Sequence, residues 1–343
     1  MQTKIKIIPI ILITLFLTGC GSTQNTVQAE EAQNATIFAM DTVMELSVYG
    51  SETLLDGAES IILALERELS VTDAESEIYA VNRDGAGSVS ADTAELLNRA
   101  LELCARTDGA LDISIYPVVR TWGFTTGEYR VPDSEELRAL LECVDYTRIS
   151  FDGESALSLA EGMEIDLGSV AKGYASSRVI QYWKNNGVTS ALLNLGGNVH
   201  ALGTKPDGSA WRVAIADPEQ NGYLGVLEVI DQAVITSGGY ERYFEQDGKT
   251  YWHIIDPDTG CPAESGLISV TVVGSNGVLC DALSTSLFVM GLDGASTLWN
   301  ESDDFEAVFV TSYDAVYVTE GLADNFSPLG DYEGQEVTVI YRA

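Results

Sequence analysis

The sequence predicts an α+β fold, and three observations carry that prediction. Short apolar stretches that read as strands outnumber the helical patterns. The helices fall between them without the regular strand–helix alternation of a doubly wound sheet. Several strands follow one another across turn residues, as antiparallel neighbours do. The chain has 343 residues, 45% of them hydrophobic, enough to bury one large core or two intimate ones.

The elements follow in order. Thr36 to Tyr49 reads as a first strand, interrupted by the polar pair in Met40-Asp41-Thr42. Leu54 to Leu69 is helical, with Ile61, Leu65 and Leu69 on one face, and Ser70 to Asn82 is a polar loop or short helix. Asp92 to Arg106 forms a second helix, ended by Asp108-Gly109. Pro117 to Phe124 leads into a turn around Gly127, and Asp133 to Cys143 is a short helix capped by Asp133 or Ser134. Two short strands, Thr147–Phe151 and Ala156–Leu159, lead to Glu164-Ile-Asp-Leu-Gly-Ser-Val-Ala-Lys-Gly-Tyr174. This stretch reads as a strand end, a tight turn at Gly168 and a helix running to Asn186-Gly187.

Beyond it, Ser190 to Asn198 is a buried strand closing on a Gly-Gly turn. Strands are expected at Trp211–Ala216, Leu224–Ile230 and Ala233–Thr236. Ser237–Phe244 and Lys249–Ile255 form a hairpin through Asp247-Gly248. Gly266–Val273 is a strand, and Leu279–Met290 is a helix opened by Asp281. Strands at Ala307–Thr311, Ala315–Val318 and Glu336–Tyr341 close the chain.

Charge narrows the partners. There are 18 basic and 52 acidic residues, a net charge of −34. No basic patch is available to hold a phosphate backbone, which argues against nucleic-acid binding. An anionic ligand would need a cation to bridge it to such a protein. The N-terminus carries Lys4 and Lys6, an apolar run from Ile7 to Leu17, and then Leu17-Thr-Gly-Cys20. That is the pattern of a secretory signal ending in a bacterial lipobox, with Cys20 as the lipidated first residue. Residues 1–19 would be removed; they hold two lysines and no acid, which leaves a charge of −36. Residues 20–35 read as a small, polar tether, and residues 36–343 as the folded domain. The expected location is the outer face of the cell membrane, held there by the N-terminal lipid. No Cys-x-x-Cys occurs, which argues against a zinc or thioredoxin-type centre, and Cys104 and Cys143 read as buried thiols.

Three features could carry chemistry. The turn before Lys172 opens a helix, where backbone N–H groups and the dipole attract anions, although the same residues suit an ordinary β-turn-α connection. It matches neither a Walker A loop nor Gly-x-Gly-x-x-Gly. Asp281 and Thr285 stand at i and i+4, so a carboxylate and a hydroxyl on one helical face could hold Mg²⁺. Taken alone, the pair reads better as an N-cap Asp and a Thr bonded to its own backbone. His253, one of two histidines, lies on a strand before the Asp256 turn with Arg242 across the hairpin, a setting that suits a general base or a structural histidine equally. His200 reads as structural.

Taken together, the chain resembles the ApbE family of flavin transferases, the exported FAD:protein FMN transferases. Six blocks carry the resemblance in order. They are Met40-Asp41-Thr42; Asp108-Gly-Ala-Leu-Asp112 running to Trp122-Gly-Phe124; Asp166-Leu-Gly-Ser-Val-Ala-Lys-Gly173; Asn194-Leu-Gly-Gly197; Thr236-Ser-Gly-Gly-Tyr-Glu-Arg242 through His253-Ile-Ile-Asp-Pro-Asp-Thr-Gly260; and Asp281-Ala-Leu-Ser-Thr285. The resemblance implies a two-lobed α+β fold of T-fold-like type, with mixed, mostly antiparallel sheets and FAD in a cleft between the lobes. It implies Mg²⁺ on the FAD pyrophosphate, held by the Ser169 carbonyl, Asp281 and Thr285, with Ser284 a weaker ligand. It places flavin or adenine contacts on Met40, Ala110, Leu111, Asp112, Asp166, Lys172 and Ile255, and the base on His253. The implied reaction transfers FMN from FAD to a threonine or serine of an exported acceptor carrying an Asp-Gly-x-Ser/Thr-Gly-Ala-Thr-like site, with release of AMP. One departure stands out: relatives often have a tyrosine where this chain has Thr72. Some relatives altered at that loop hydrolyse FAD to FMN and AMP, so a pyrophosphatase is the alternative, and a non-catalytic flavin-binding lipoprotein a third.

Overall fold

A computed structural model describes residues 31–219 and 222–343. The expected signal peptide, Cys20 and most of the expected tether therefore lie outside the described residues. The chain opens with β1 (Ala32–Ala39), β2 (Thr42–Tyr49), α1 (Thr53–Leu69), α2 (Glu77–Asp84), β3 (Ala86–Ser88) and α3 (Ala91–Arg106). Then come α4 (Tyr116–Trp122), α5 (Ser134–Leu141), β4 (Ser150–Phe151), β5 (Ala156–Ser158), α6 (Gly168–Asn185), β6 (Ser190–Leu195) and β7 (Asn198–Gly203). The second half supplies β8 (Trp211–Ala216), β9 (Tyr223–Val229), β10 (Ala233–Gly238), β11 (Tyr243–Gln246), β12 (Lys249–Trp252), β13 (Leu267–Gly274) and α7 (Gly277–Asn300). It ends with β14 (Glu306–Thr311), β15 (Val316–Thr319), β16 (Phe326–Pro328) and β17 (Val337–Ile340).

Among the described residues, nine strands form one sheet in the order β1-β2-β6-β7-β10-β13-β14-β15-β17. Only β15 and β17 pair in parallel; the other neighbours are antiparallel. This agrees with the α+β prediction. Helices α1, α6 and α7 pack with one face of the sheet into the main core, which fully buries Trp183, Trp299 and Phe288. The small sheet β16-β9-β8 closes a second core against the other face, through Trp211, Val213 and Leu227. A third, aromatic cluster of α4, α5 and the hairpin β11–β12 contains Trp122, Phe124, Phe244 and Ile255. Phe244 stacks between Tyr129 and Tyr251, at centroid distances of 5.1 and 5.2 Å.

Several expectations need correction. Thr36–Tyr49 is not one strand but a hairpin that turns at Met40-Asp41, and pairing already starts at Ala32 with Tyr49, inside the expected tether. Both turn residues adopt positive φ, 48° and 59°, without a glycine to announce it. Residues 116–122 are helical, with Pro117 in the first turn, where its missing N–H costs nothing. Asp166 lies outside any strand; Glu164 makes only an isolated bridge to Ile115. On α1 the buried apolar face uses Ile62, not Ile61. Helix α7 is capped by Asn276, whose side chain accepts from Leu279 N–H, so Asp281 is an interior residue and no cap. The same helix breaks at Gly291 (φ 71°, ψ 175°), one residue past the expected end. Cys104 is buried but Cys143 is only partly so, and Cys104, Cys143, Cys261 and Cys280 are all free thiols.

Candidate active site

The site begins where α6 and α7 touch. Gly173 and Gly277 face each other there; a Cβ on Gly173 would stand 2.2 Å from the Gly277 carbonyl and 2.6 Å from Asp281 Cβ. Only two glycines let the backbones come this close. The contact delivers Asp281 to the first turns of α6, where Gly173 N–H donates to its Oδ2 at 2.7 Å. In a regular helix that N–H would serve the Ser169 carbonyl. Asn198, at the start of β7, donates through Nδ2 to Oδ1 at 2.9 Å. Asp281 is 5% exposed. Burial pushes its carboxyl above the ordinary range, while Lys172 and the two donors pull the other way.

Two loops make the floor. Asn82 clamps Ile165 by accepting from its N–H and donating to its carbonyl, at 2.7 and 2.8 Å. Asp166 N–H donates to the Ile113 carbonyl at 2.8 Å, which ties 110–115 to 164–167. Asp166 Oδ1 accepts from Gly168 N–H and so fastens the start of α6. Gly168 has no positive φ there, so the expected tight turn at that residue is a helix start. Asp112 accepts from Ser114 N–H, Ser114 Oγ and Tyr146 N–H. Burial raises the carboxyls of both Asp112 and Asp166 despite these bonds.

The cleft lining also includes His253, one residue past β12 rather than on it. Its backbone N–H donates to the Arg242 carbonyl at 3.0 Å, and its Nδ1 lies 3.1 Å from the same oxygen. A carbonyl only accepts, so Nδ1 carries the proton and Nε2 keeps its lone pair. Burial, with the Arg242 and Lys172 cations, pushes the imidazolium down to about 4. His253 is therefore neutral at pH 7 and able to take a proton. His200 is elsewhere, buried with Nδ1 against Ser176 Oγ, and is structural as expected.

These walls enclose a cleft of about 700 Å³. All eleven predicted site residues of the folded domain line it: His253; Met40, Ala110, Leu111, Asp112, Asp166, Lys172 and Ile255; Ser169, Asp281 and Thr285. Thr72 also lines it and is exposed. Ser284 does not line it; its hydroxyl donates to the Asp281 carbonyl and lies 2.8 Å from Ser237 Oγ. Sequence reasoning missed Glu66, Asn198 and Glu241. Glu241 faces the cleft beside Lys172, and burial pushes it up to about 7. Its only sequence signal was its place between Tyr240 and Arg242.

The donor set suits a hard cation. Among the described residues no three His, Cys, Asp or Glu side chains gather around one point. Ser169, Asp281 and Thr285 all line the cleft, and a backbone carbonyl, a carboxylate and a hydroxyl are the oxygen donors that would suit Mg²⁺. A buried carboxylate held by two neutral donors also gains from a cation beside it.

Comparison with known proteins identifies the family and its fold. The ApbE family model matches residues 40–309. An FAD:protein FMN transferase of Klebsiella pneumoniae is 34% identical over 81% of this chain and 88% of its own length. One of Treponema pallidum is 30% identical over 91% and 93%. The crystal structure of the ApbE protein of Thermotoga maritima superposes with a TM-score of 0.80 at 30% identity, covering 85% of this chain and 98% of that one. The Pseudomonas stutzeri flavinyl transferase ApbE gives 0.78 at 30%, covering 88% and 98%. By its fold, its sequence blocks and these likenesses, the chain belongs to the ApbE family.

Proposed function

We propose that this chain is an FAD:protein FMN transferase that moves FMN from FAD to a threonine or serine hydroxyl of an acceptor protein and releases AMP. The observation that carries the reading is the meeting, in one cleft, of a neutral histidine with a free Nε2, the buried Asp281 carboxyl, Thr285 and Lys172. Mg²⁺ bound by Asp281, Thr285 and the Ser169 carbonyl would neutralise pyrophosphate charge and ease the departure of AMP. Lys172 pairs with a phosphate oxygen. His253 Nε2 takes the proton of the acceptor hydroxyl as its oxygen bonds to the FMN phosphorus. The bond from that phosphorus to the bridging oxygen breaks, and AMP leaves with the electron pair. Met40, Ala110, Leu111, Asp112, Asp166 and Ile255 hold the flavin and adenine ends.

Thr72 supports a second reading. It lines the cleft and is exposed, and a small side chain there leaves room for water, which would make the products FMN and AMP. The export signal at residues 1–19 and the Leu17-Thr-Gly-Cys20 sequence support a lipoprotein anchored at the outer face of the membrane by Cys20. Incubation with FAD and Mg²⁺, with and without a peptide bearing an Asp-Gly-x-Ser/Thr-Gly-Ala-Thr-like site, tests the function. Peptide-bound FMN supports transfer, FMN and AMP without peptide support hydrolysis, and unchanged FAD refutes both.

A further inference from the structure

The turn between β1 and β2 is built from residues that do not favour it. Met40 and Asp41 both sit in the left-handed region, the backbone of a two-residue type I′ turn. Such a turn normally takes Asn or Asp and then Gly; an unbranched apolar residue followed by aspartate is strained there. Two contacts hold it. Gly196 (φ 66°) packs beneath Thr42, where a Cβ would come within 2.2 Å of Thr42 Oγ1. Met40 N–H lies beyond the last ladder pair, Ala39 with Thr42, and donates to Glu66 Oε1 of α1 at 2.6 Å. Both Met40 and Glu66 line the cleft.

We propose that Glu66 is a positioning residue of this cleft: its bond to the Met40 amide holds the Met40-Asp41 turn left-handed and fixes the wall that Met40 presents to FAD. The proposal rests on the reading of the cleft as an FAD site. Glu66 acts through the turn, while the proton transfer stays with His253. Losing it should therefore weaken FAD binding and spare turnover at saturation.

Wild type, Glu66→Ala and Glu66→Gln are compared by hydrogen exchange of the Met40 amide, by FAD affinity from flavin fluorescence, and by kcat and KM. Glu66→Ala should speed Met40 exchange and weaken FAD binding, each about tenfold, the scale of one hydrogen bond to a charged group. Its kcat at saturating FAD should stay within about twofold. Glu66→Gln keeps an acceptor oxygen and should restore both affinity and protection. Unchanged Met40 exchange or unchanged FAD affinity in Glu66→Ala overturns the proposal, as does a Gln variant as impaired as Ala. If wild type binds no FAD, the FAD-site reading fails, and this role of Glu66 with it. The exchange experiment separately decides whether Glu66 holds the turn.

Discussion

Gly173→Ala should cripple the enzyme while leaving it folded. In an ordinary helix interior this change stabilises, by about 1 kcal/mol, because alanine has the better propensity. Here the new methyl would lie 2.2 Å from the Gly277 carbonyl oxygen, against about 3.3 Å for an unstrained carbon–oxygen contact. The obstacle is backbone, so no rotamer relieves it, and α6 and α7 must part by about 1 Å. Overpacking of that kind costs about 1–3 kcal/mol, which outweighs the propensity gain but not a total stability of about 5–15 kcal/mol. The same parting stretches the 2.7 Å bond from Gly173 N–H to Asp281 and moves Asp281 away from Ser169 and Lys172. A misplacement of about 1 Å in a catalytic constellation can lower the rate about 100-fold. The assay is acceptor-dependent FMN transfer at saturating Mg²⁺, beside a thermal melt. A variant that melts within a few degrees of wild type and loses about 100-fold in kcat fits the reasoning; one with kcat within twofold of wild type refutes it.

Other outcomes follow from the same geometry. Asp281→Ala should lower Mg²⁺-dependent turnover by about 100-fold or more and weaken Mg²⁺ binding in calorimetry; undiminished activity removes Asp281 from the site. His253→Ala should keep FAD binding and lose transfer, and a full rate excludes it as the base. The imidazole is depressed to about 4 and stays neutral above that pH. In ¹⁵N NMR the His253 ring should thus stay neutral from pH 7 to 5, and a titration near the ordinary histidine value would contradict the assigned environment. Glu241 holds its proton more tightly folded than unfolded, since burial raises it from 4.5 to about 7. The folded state then carries more protons across that window, and stability falls as pH rises through it. Melting of the metal-free protein at pH 5 and 7 should show Glu241→Gln gaining on wild type at the higher pH; a difference that does not change with pH refutes this.

Much of the fold was legible because local chemistry and tertiary packing agree. The face of α3 repeats at helical spacing from Leu96 to Cys104, and the structure places the helix one residue from the expected start. Asp247-Gly248 is an I′ turn signal and is used as one, with φ of 53° and 76°. The break at Met40-Asp41 was not legible, because a braced turn needs no glycine. The short α4 was hidden because seven residues around a proline give little periodicity.

The sequence by itself determined the α+β class, the blocks that mark the family, and the residue types proposed for an oxygen-donor cation site and a base. Only the tertiary structure decided where they stand and what they touch. Asp281 reads as a helix cap until Asn276 is seen capping α7 and the Gly173–Gly277 contact carries Asp281 to the start of α6. His253 reads as base or bystander until the Arg242 carbonyl fixes its tautomer and burial keeps it neutral. Glu66 and Asn198 carry no local signal, because their roles depend on partners far along the chain: 26 residues to Met40 and 83 to Asp281. Periodicity and capping act over a few residues and can be read from sequence. The distances and burial that tune a carboxylate or an imidazole arise only when distant segments pack together.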